Sequence, residues 1–320
     1  MATEQASASI QVGFVGLGAM GSAMAPCLAR FLSTKGQVLY VYNRDPSKTE
    51  SLLSGPESAN FRAASGLEDI AKNCNVIFTM LAHDAAVKDV MGKVVEFLKS
   101  ANAADDGHQQ QPRVFVDCST VSPDTTREMS AAAEAAGALY IACPVLGRPD
   151  AAAAAKLLLF CAGPSAAKEV AMPYISSLGR KVLDLSDEAP KANIMKLLAN
   201  FHLVSLIELL AEGMTLAEKN GISRDLYSSF ISEMLPAPIV TGYCGRMAAD
   251  AFQAGQGFTV TLGLKDVNLM RQLAERSEAP LPLADVAFNH LLAAKAGGLA
   301  DKDWSALALA VREAAGMKQQ

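Results

Sequence analysis

Short apolar runs alternate with helical patterns along the first half of the chain. Seven of these runs are typical of buried strands, at residues 10–15, 37–42, 75–81, 113–117, 139–143, 156–161 and 181–185. The segments between them favour helices, such as 84–99 and a helix that follows Ser122 as its N-cap. Because strands that alternate with helices form parallel sheets, we predict an α/β fold with a doubly wound, mostly parallel sheet of about eight strands.

The second half of the chain shows no strand pattern. Residues 190–220 are predicted to form one helix of about 30 residues, about 45 Å long, which Pro190 starts and Gly221 ends. We therefore predict a sheet domain at 1–189 and an all-helical domain at 190–320, with 190–220 as the interdomain helix. That helix is apolar on most faces and has to bury them, so another subunit is the expected cover, in a homodimer or a homotetramer.

Three glycines lie between the first strand and the first helix. Gly16, Gly18 and Gly21 have the spacing G-x-G-x-x-G, which by itself is also compatible with a glycine-rich surface turn. In a strand–turn–helix context, the first glycine permits the turn, the second lets a pyrophosphate approach, and the third lets helix and strand pack closely. The sheet domain is thus predicted to be a Rossmann domain, in which Leu17, Ala19 and Met20 complete the cofactor-binding turn.

The second strand ends in Asn43-Arg44-Asp45, where this fold places the adenosine ribose. An amide and a guanidinium suit a 2′-phosphate, so Asn43 and Arg44 favour NADP(H), with NAD possible. Asp45 has two interpretations. Its carboxylate would accept from an unphosphorylated ribose, or, because Pro46 follows, it would cap the next helix.

One lysine stands out in the predicted interdomain helix. Lys196 is the only charged residue between Ala192 and Ile207, and Asn200 falls on the same helix face four residues later. Apolar surroundings lower the pKa of an ammonium, which suits a proton donor to a carbonyl near neutral pH. The alternative is a lysine that extends along the helix to reach water.

Composition excludes several classes of protein. The 320 residues are 51% apolar with a mean hydropathy of +0.20, and the net charge of −5 comes without a basic block, so nucleic acid is not an expected partner. No uncharged run reaches membrane-spanning length, and no metal site is predicted. Residues 1–9 lack the features of a signal peptide, and six scattered cysteines indicate reduced core thiols, so we expect a cytoplasmic protein.

Four motifs occur in a characteristic order along nearly the whole chain. They are GFVGLGAMGSAMA from Gly13, DCSTVSP from Asp117, KLLAN from Lys196, and Phe258 followed by LGLKD from Leu262. In this order they resemble the β-hydroxyacid dehydrogenases, which include 3-hydroxyisobutyrate dehydrogenase, tartronate semialdehyde reductase and the glyoxylate/succinic semialdehyde reductases.

The resemblance implies roles for individual residues. Lys196 would be the general acid/base with Asn200 as its partner, and Ser119 would act beside them in catalysis and substrate binding. Thr120 would line the nicotinamide pocket with Ser119, while Lys265, supported by Asp266, would reach the cofactor. Leu81 and Ala82 would lie beside the nicotinamide ribose. Without the other motifs, Ser119 and Thr120 would be interpreted as hydroxyl caps and Lys265-Asp266 as a solvated charge pair.

Two departures from the family pattern concern the substrate segment and the helix start. Where the family usually has D-A-P-V-S-G-G, this chain has Ala142-Cys143-Pro144-Val145-Leu146-Gly147-Arg148, so Leu146 replaces the serine and Arg148 the second glycine. Leu146, Gly147 and Arg148 remain the expected substrate segment, with either a bulkier, less polar substrate or a carboxylate bound by Arg148. Pro190-Lys191-Ala192 replaces the usual G-x-G, which changes the helix start.

These features predict an NADP(H)-dependent oxidoreductase that reduces a small aldehyde or keto acid to a hydroxy acid, or runs the reverse reaction. One alternative is an imine reductase or reductive aminase on the same scaffold, although those enzymes generally lack the lysine. Another is a cofactor-binding protein without turnover, which the joint presence of Lys196, Asn200 and Ser119 disfavours.

Overall fold

The computed structural model describes residues 10–103, 113–253 and 258–317, with the backbone alone at 101–103. Residues 1–9, on which the signal-peptide expectation rests, lie outside the described residues. The chain divides after Lys196 into two compact units. The predicted domain boundary at 189/190 stays a prediction.

A sheet forms the centre of the first unit. Its described strands are β1 (Val12–Val15), β2 (Leu39–Tyr42), β3 (Phe61–Ala63), β4 (Val76–Thr79), β5 (Arg113–Asp117), β6 (Ala138–Ala142), β7 (Val145–Leu146), β8 (Leu157–Ala162) and β9 (Gly179–Ser186). They are ordered β3-β2-β1-β4-β5-β6-β8-β7, with β9 paired to β8. Strands β1 to β6 pair in parallel, whereas β8 runs antiparallel to β6 and β7. The predicted doubly wound, mostly parallel sheet is confirmed.

The strand order reverses between β1 and β4, and this reversal positions the site. In open α/β sheets, ligands bind beyond the carboxyl ends of the strands at such a switch point. The residues that follow β1, β4 and β5 are the glycine turn, Leu81 and Ser119 respectively. The residues of three separate sequence predictions therefore lie at the carboxyl end of the same sheet.

Seven α-helices precede α8 in the described part of the first unit. They are α1 (Ala19–Ser33), α2 (Pro46–Leu53), α3 (Leu67–Asn73), α4 (Asp84–Ala103), α5 (Pro123–Glu134), α6 (Pro149–Ala153) and α7 (Ser165–Ser176). Ser122 caps α5 as predicted, since its hydroxyl accepts from the Thr125 N–H. Strands β3 and β7 were not predicted, because they have three and two residues and present no apolar run.

The long helix α8 (Pro190–Lys219) has the predicted 30 residues, and Gly221 follows it at φ 79°. By length and mean hydropathy alone, α8 is long and apolar enough to cross a membrane, although Lys196 and Glu208 interrupt it, so that no uncharged run in it reaches membrane-spanning length. Its side chains Val204, Ile207 and Leu210 are buried in the core of the second unit, as in the central helix of a globular domain.

The described part of the second unit is built from helices. After α8 come α9 (Arg224–Met234), α10 (Pro238–Ala248), α11 (Val260–Arg276), α12 (Pro282–Ala294) and α13 (Leu307–Ala314). Trp304 is buried at the centre, donates from its indole N–H to the Tyr243 hydroxyl at 2.9 Å, and packs edge-on against Phe258. The Trp304 backbone N–H also donates to the Phe258 carbonyl at 2.8 Å, which ties the residue that precedes the N-cap of α11, the helix of Lys265 and Asp266, to this cluster.

Candidate active site

The glycine turn has the shape that a dinucleotide requires. Gly16 has φ 99°, and a Cβ there would meet the Met80 carbonyl oxygen at 2.4 Å, so only glycine fits. A Cβ on Gly21 would meet the Gly16 oxygen at 1.9 Å, so the first turn of α1 packs directly on the loop. At Gly18, by contrast, a Cβ would meet nothing within 4 Å. The backbone is thus tightly packed at Gly16 and Gly21 and has open space at Gly18, as the approach of a pyrophosphate requires.

The start of α1 leaves donors available at this opening. Gly18 is the N-cap, no side chain caps the helix, and its first turn carries no acidic residue. Ala19 is exposed and Met20 half-buried, whereas the Leu17 side chain is buried in the core. The backbone N–H groups of the first turn are therefore the ones that can bind an anion.

The Asn43 side-chain amide makes two hydrogen bonds within the protein. Its Oδ1 accepts from the Leu17 N–H at 2.9 Å, and its Nδ2 donates to the Asp45 carbonyl at 3.0 Å. Asp45 caps α2 through Ser47, which confirms the capping interpretation. Arg44 between them is exposed and has no ion pair with a described residue. Of the two residues expected at the ribose, Asn43 shapes the turn and Arg44 is the one that can reach a ligand.

The ends of β4 and β5 are joined through Ser119. Its fully buried hydroxyl accepts from the Leu81 N–H at 2.9 Å, and its own N–H donates to Asp117 Oδ1 at 3.1 Å. Asp117 Oδ1 also accepts from the Thr79 hydroxyl at 2.8 Å. Ser119 thus holds Leu81, and with it the exposed Ala82, at the carboxyl end of the sheet. The interpretation of Ser119 as a helix cap is wrong, because Ser122 caps α5.

Asp117 is a buried carboxylate that sequence reasoning missed. Burial raises its pKa, against hydrogen bonds from Ser119, Thr79 and Tyr140 that lower it. The Tyr140 hydroxyl donates to Asp117 Oδ2 at 3.1 Å, and burial, with the Asp117 charge, raises the pKa of that phenol well above its usual value. Tyr140 therefore stays a donor. No local pattern reveals this pair, because 23 residues separate its members.

A second missed residue, Asn193, lies in the first turn of α8. Its side chain is fully buried, and its Nδ2 donates to the Thr126 hydroxyl at 2.7 Å. Its Oδ1 accepts from the Val121 N–H at 3.4 Å. The polar segment that begins at Asp117 and includes Thr120 is thus tied to the helix that carries Lys196.

The substrate segment forms a short strand and a turn. Val145 and Leu146 pair with Leu159 and Leu158 in β8, which leaves Leu146 half-buried. Gly147 then takes φ 151°, and a Cβ there would meet Leu157 at 2.5 Å. Arg148 follows as the N-cap of α6 and is half-buried. The departure from the family pattern therefore falls on a turn that keeps its essential glycine.

Lys196 and Asn200 are one helical turn apart on α8, as predicted. Lys196 is 7% exposed and Asn200 3% exposed, so neither side chain reaches bulk water as a solvated surface residue does. Within the second unit, Asn200 Nδ2 donates to Asp266 Oδ2 at 2.6 Å. This bond fixes the amide orientation of Asn200.

Asp266 is fully buried, so the solvated-pair interpretation of Lys265-Asp266 is wrong. The Lys265 ammonium lies 3.0 Å from Asp266 Oδ1. The two groups form an ion pair at this distance, but Asp266 Oδ1 accepts no hydrogen bond from a described residue. Asp266 therefore supports both Asn200, through a hydrogen bond, and Lys265, through charge.

Comparison with known proteins identifies the family. The NAD-binding domain of 6-phosphogluconate dehydrogenase matches residues 11–186. The NAD-binding domain of NADP-dependent 3-hydroxyisobutyrate dehydrogenase matches residues 191–311. The chain belongs to the β-hydroxyacid dehydrogenase family. It is an NAD(P)-dependent oxidoreductase that acts on the CH–OH group of hydroxy acids or on the corresponding carbonyl.

Individual relatives of this β-hydroxyacid dehydrogenase match it over most of their lengths. The uncharacterized oxidoreductase YfjR of Bacillus subtilis is 36% identical over 93% of this chain and 98% of its own. Glyoxylate/succinic semialdehyde reductase 2 of Arabidopsis thaliana is 29% identical over 96% and 80%. The structure of Mycobacterium tuberculosis 3-hydroxyisobutyrate dehydrogenase with L-serine has a TM-score of 0.77, 26% identity, and coverage of 95% and 99%.

Imine reductases are more distant in structure. The enzyme from Myxococcus stipitatus in complex with NADP⁺ has a TM-score of 0.59 and 19% identity, over 93% of this chain and 98% of that one. This likeness shows a shared fold alone. The hydroxy-acid side of the family is therefore the better supported one.

Proposed function

We propose that this β-hydroxyacid dehydrogenase uses NADP(H) to reduce a small aldehyde or keto acid to a hydroxy acid, or to run the reverse reaction, with Lys196 as general acid/base. The observation that carries the proposal is the burial of Lys196 on α8, one turn before an asparagine whose amide Asp266 holds in place. A buried lysine has a function more often than a lysine on a solvated face.

The residues at the carboxyl end of the sheet fit the cofactor. Gly16 to Gly21 would hold the pyrophosphate, and Arg44 would bind a 2′-phosphate with a charge-assisted hydrogen bond. Leu81, Ala82 and Thr120 would line the nicotinamide, and Lys265 would add positive charge to the phosphate region. When bound, the nicotinamide supplies or accepts the hydride; the protein supplies position and a proton.

Lys196 would give its proton to the substrate oxygen in the direction of reduction. Negative charge grows on that oxygen in the transition state, so an ammonium placed there lowers the barrier more than it strengthens binding. Asn200 has one side-chain donor committed to Asp266, which fixes its amide, and it would act as the partner of Lys196 in the reaction. Ser119, fixed between Asp117 and Leu81, would take part in binding the nicotinamide and the substrate.

Arg148 would select the substrate. It stands where the family usually has glycine, in a turn next to Leu146 and Gly147, and a guanidinium binds a carboxylate with two parallel hydrogen bonds. We also propose a cytoplasmic location, where the six buried thiols stay reduced, and assembly as a homodimer or homotetramer.

A depletion screen tests the proposed reaction. NADPH oxidation is followed with short aldehydes, with keto acids and with cyclic imines. The Lys196→Ala variant is assayed in parallel with the same substrates. We expect turnover with aldehydes or keto acids that the variant loses. Turnover restricted to cyclic imines and insensitive to the variant would contradict the proposal and favour imine reduction.

A further inference from the structure

Buried polar side chains in the first unit tie the start of α8 to the segment that follows β5. Asn193 donates to the Thr126 hydroxyl at 2.7 Å, and its Oδ1 accepts from the Val121 N–H. At the start of the same segment, Tyr140 donates to Asp117, whose other oxygen accepts from the Ser119 N–H. These five side chains, of Asn193, Thr126, Tyr140, Asp117 and Ser119, are at most 1% exposed. The bonds of Asn193 therefore hold the segment that follows Ser119, one candidate site residue, and lie three residues before Lys196, another.

Asn193 uses both ends of its amide in this network. Its Oδ1 accepts from Val121 in the loop after β5, and its Nδ2 donates to Thr126 in α5. An amide held from both ends fixes the rotation of a helix as well as its distance. If α8 turned by one residue, about 100°, both bonds would break and leave buried polar groups unsatisfied.

We infer that Asn193 is a positioning residue for the reaction, which sets the rotation of the first turn of α8 so that Lys196 faces the site that Ser119 lines. This inference rests on the proposed role of Lys196. Displacement of a reacting group by about 1 Å can lower a rate ~10²-fold, so an anchor one turn away has a measurable effect. Asn193 itself contacts neither cofactor nor substrate in this account.

The anchor also fits the unusual start of this helix. The chain has Pro190-Lys191-Ala192 where its family tends to have G-x-G, and Asn193 follows immediately. Pro190 and Ala192 thus place side chains at the two positions where the family pattern has glycine. A buried amide then supplies the attachment between α8 and the segment from Val121 to Thr126.

Two variants remove the same contact from opposite sides. Asn193→Ala deletes the amide, and Thr126→Val removes its hydroxyl partner with little change of shape, while Thr126→Ser restores the hydroxyl. We expect Asn193→Ala and Thr126→Val to lower kcat ~10-fold with KM and cofactor Kd nearly unchanged, and Thr126→Ser to recover most of the rate. The double variant should be slower by less than the product of the two single effects, because the Asn193–Thr126 bond is lost in each single variant.

A second measurement is independent of turnover. Amide hydrogen exchange of the cofactor-free protein should become faster in residues 117–126 of Asn193→Ala, because the Val121 N–H loses its acceptor. Ile175→Val, which trims a buried side chain of α7 in the same unit, controls for loss of stability and should change neither that exchange nor kcat.

The outcomes separate this inference from the proposed function. If Lys196→Ala loses activity but Asn193→Ala and Thr126→Val retain full kcat, the positioning role is wrong and the proposed function stands. If Lys196→Ala retains full kcat, the proposed function itself fails. If Asn193→Ala does not fold, a full rate in Thr126→Val still overturns the inference, and a rate that Thr126→Ser restores still supports it.

Discussion

Asn43 decides which residue at the end of β2 is left for a cofactor. Both atoms of its amide group are bound within the protein, to Leu17 and Asp45, and Asp45 is occupied by its capping bond to Ser47. Arg44 is exposed between them. We therefore propose that Arg44 carries the discrimination between NADP(H) and NAD(H), because Asn43 is committed within the protein and Asp45 Oδ1 to its capping bonds.

Replacing Arg44 by alanine should reduce the preference for NADPH over NADH roughly 10- to 100-fold, because a charge-assisted bond to the 2′-phosphate is lost. The two dissociation constants are measured by fluorescence titration. Arg180→Ala, which removes an exposed arginine of β9 at the other side of the sheet, is the charge-matched control. Equal constants for both cofactors in the unchanged protein would refute the role of Arg44.

Arg148→Ala should raise KM about 10-fold for carboxylate-bearing substrates and leave uncharged aldehydes unaffected, because only the former lose a bidentate partner. Arg127→Ala, on the exposed face of α5, is the control. Steady-state kinetics with a keto acid and an uncharged aldehyde of similar size give the comparison. A uniform change in both substrates would mean that Arg148 supports the turn and not the carboxylate.

Helices and strands differ in how far local sequence determines them. Pro190 and Gly221 mark both ends of α8, so its 30 residues are predictable, as are β5 and the capped start of α5. Strand β7 is not, because it exists only through pairing with β8. The same limit applies to Asp117 and Asn193: their partners lie 23 and 67 residues away, and nothing in the nearby sequence signals a buried hydrogen bond.

Ion pairs to Asp250 join the helices of the second unit. Arg224 of α9 and Arg312 of α13 both bond to its carboxylate, and Asp250 itself follows α10 at φ 50°. Burial alone would raise the pKa of Asp250, but the hydrogen bonds and charges of Arg312 and Arg224 lower it below its usual value. The carboxylate is thus more stable ionised in the folded state than in the unfolded one.

Asp250→Asn should therefore lower Tm at neutral pH, by an amount that shrinks on acidification. A carboxylate whose pKa is lowered by folding stabilises the folded state at pH values above its unfolded pKa, about 3.9. That stabilisation disappears as the pH falls through the lowered pKa of the folded state. Asparagine tolerates the positive φ, so the backbone is unchanged. Thermal melts of both proteins between pH 7 and pH 3 provide the test. A Tm difference that stays constant over this range would exclude the ionised pairs as its cause.

Several large apolar side chains are exposed among the described residues of the second unit. Leu209 and Leu216 on α8 are 63% and 67% exposed, and Leu226 and Phe230 on α9 are more than half exposed. Large contiguous apolar surfaces mark interaction sites, and most homo-oligomers bury such a surface against its own copy. These side chains support the proposed self-association.

The double variant Leu209→Glu, Leu216→Glu should have a lower molar mass in solution than the unchanged protein, because buried charges oppose association. Light scattering after size exclusion measures it. Ala131→Glu with Ala166→Glu, on exposed positions of α5 and α7, adds the same charge elsewhere and should leave the mass unchanged. A monomeric unchanged protein would rule out the oligomer.

Single-turnover kinetics of Lys196→Ala, with NADPH and the best carbonyl substrate, measure what the Lys196 ammonium contributes to hydride transfer. We expect a rate at least ~10²-fold lower with NADPH affinity within about 2-fold, and little rescue by Lys196→Arg. Lys191→Ala, which removes an exposed lysine in the first turn of α8 that pairs with Glu188, should keep the full rate. A Lys196→Ala enzyme that transfers hydride at the unchanged rate would show that Lys196 is not the general acid/base.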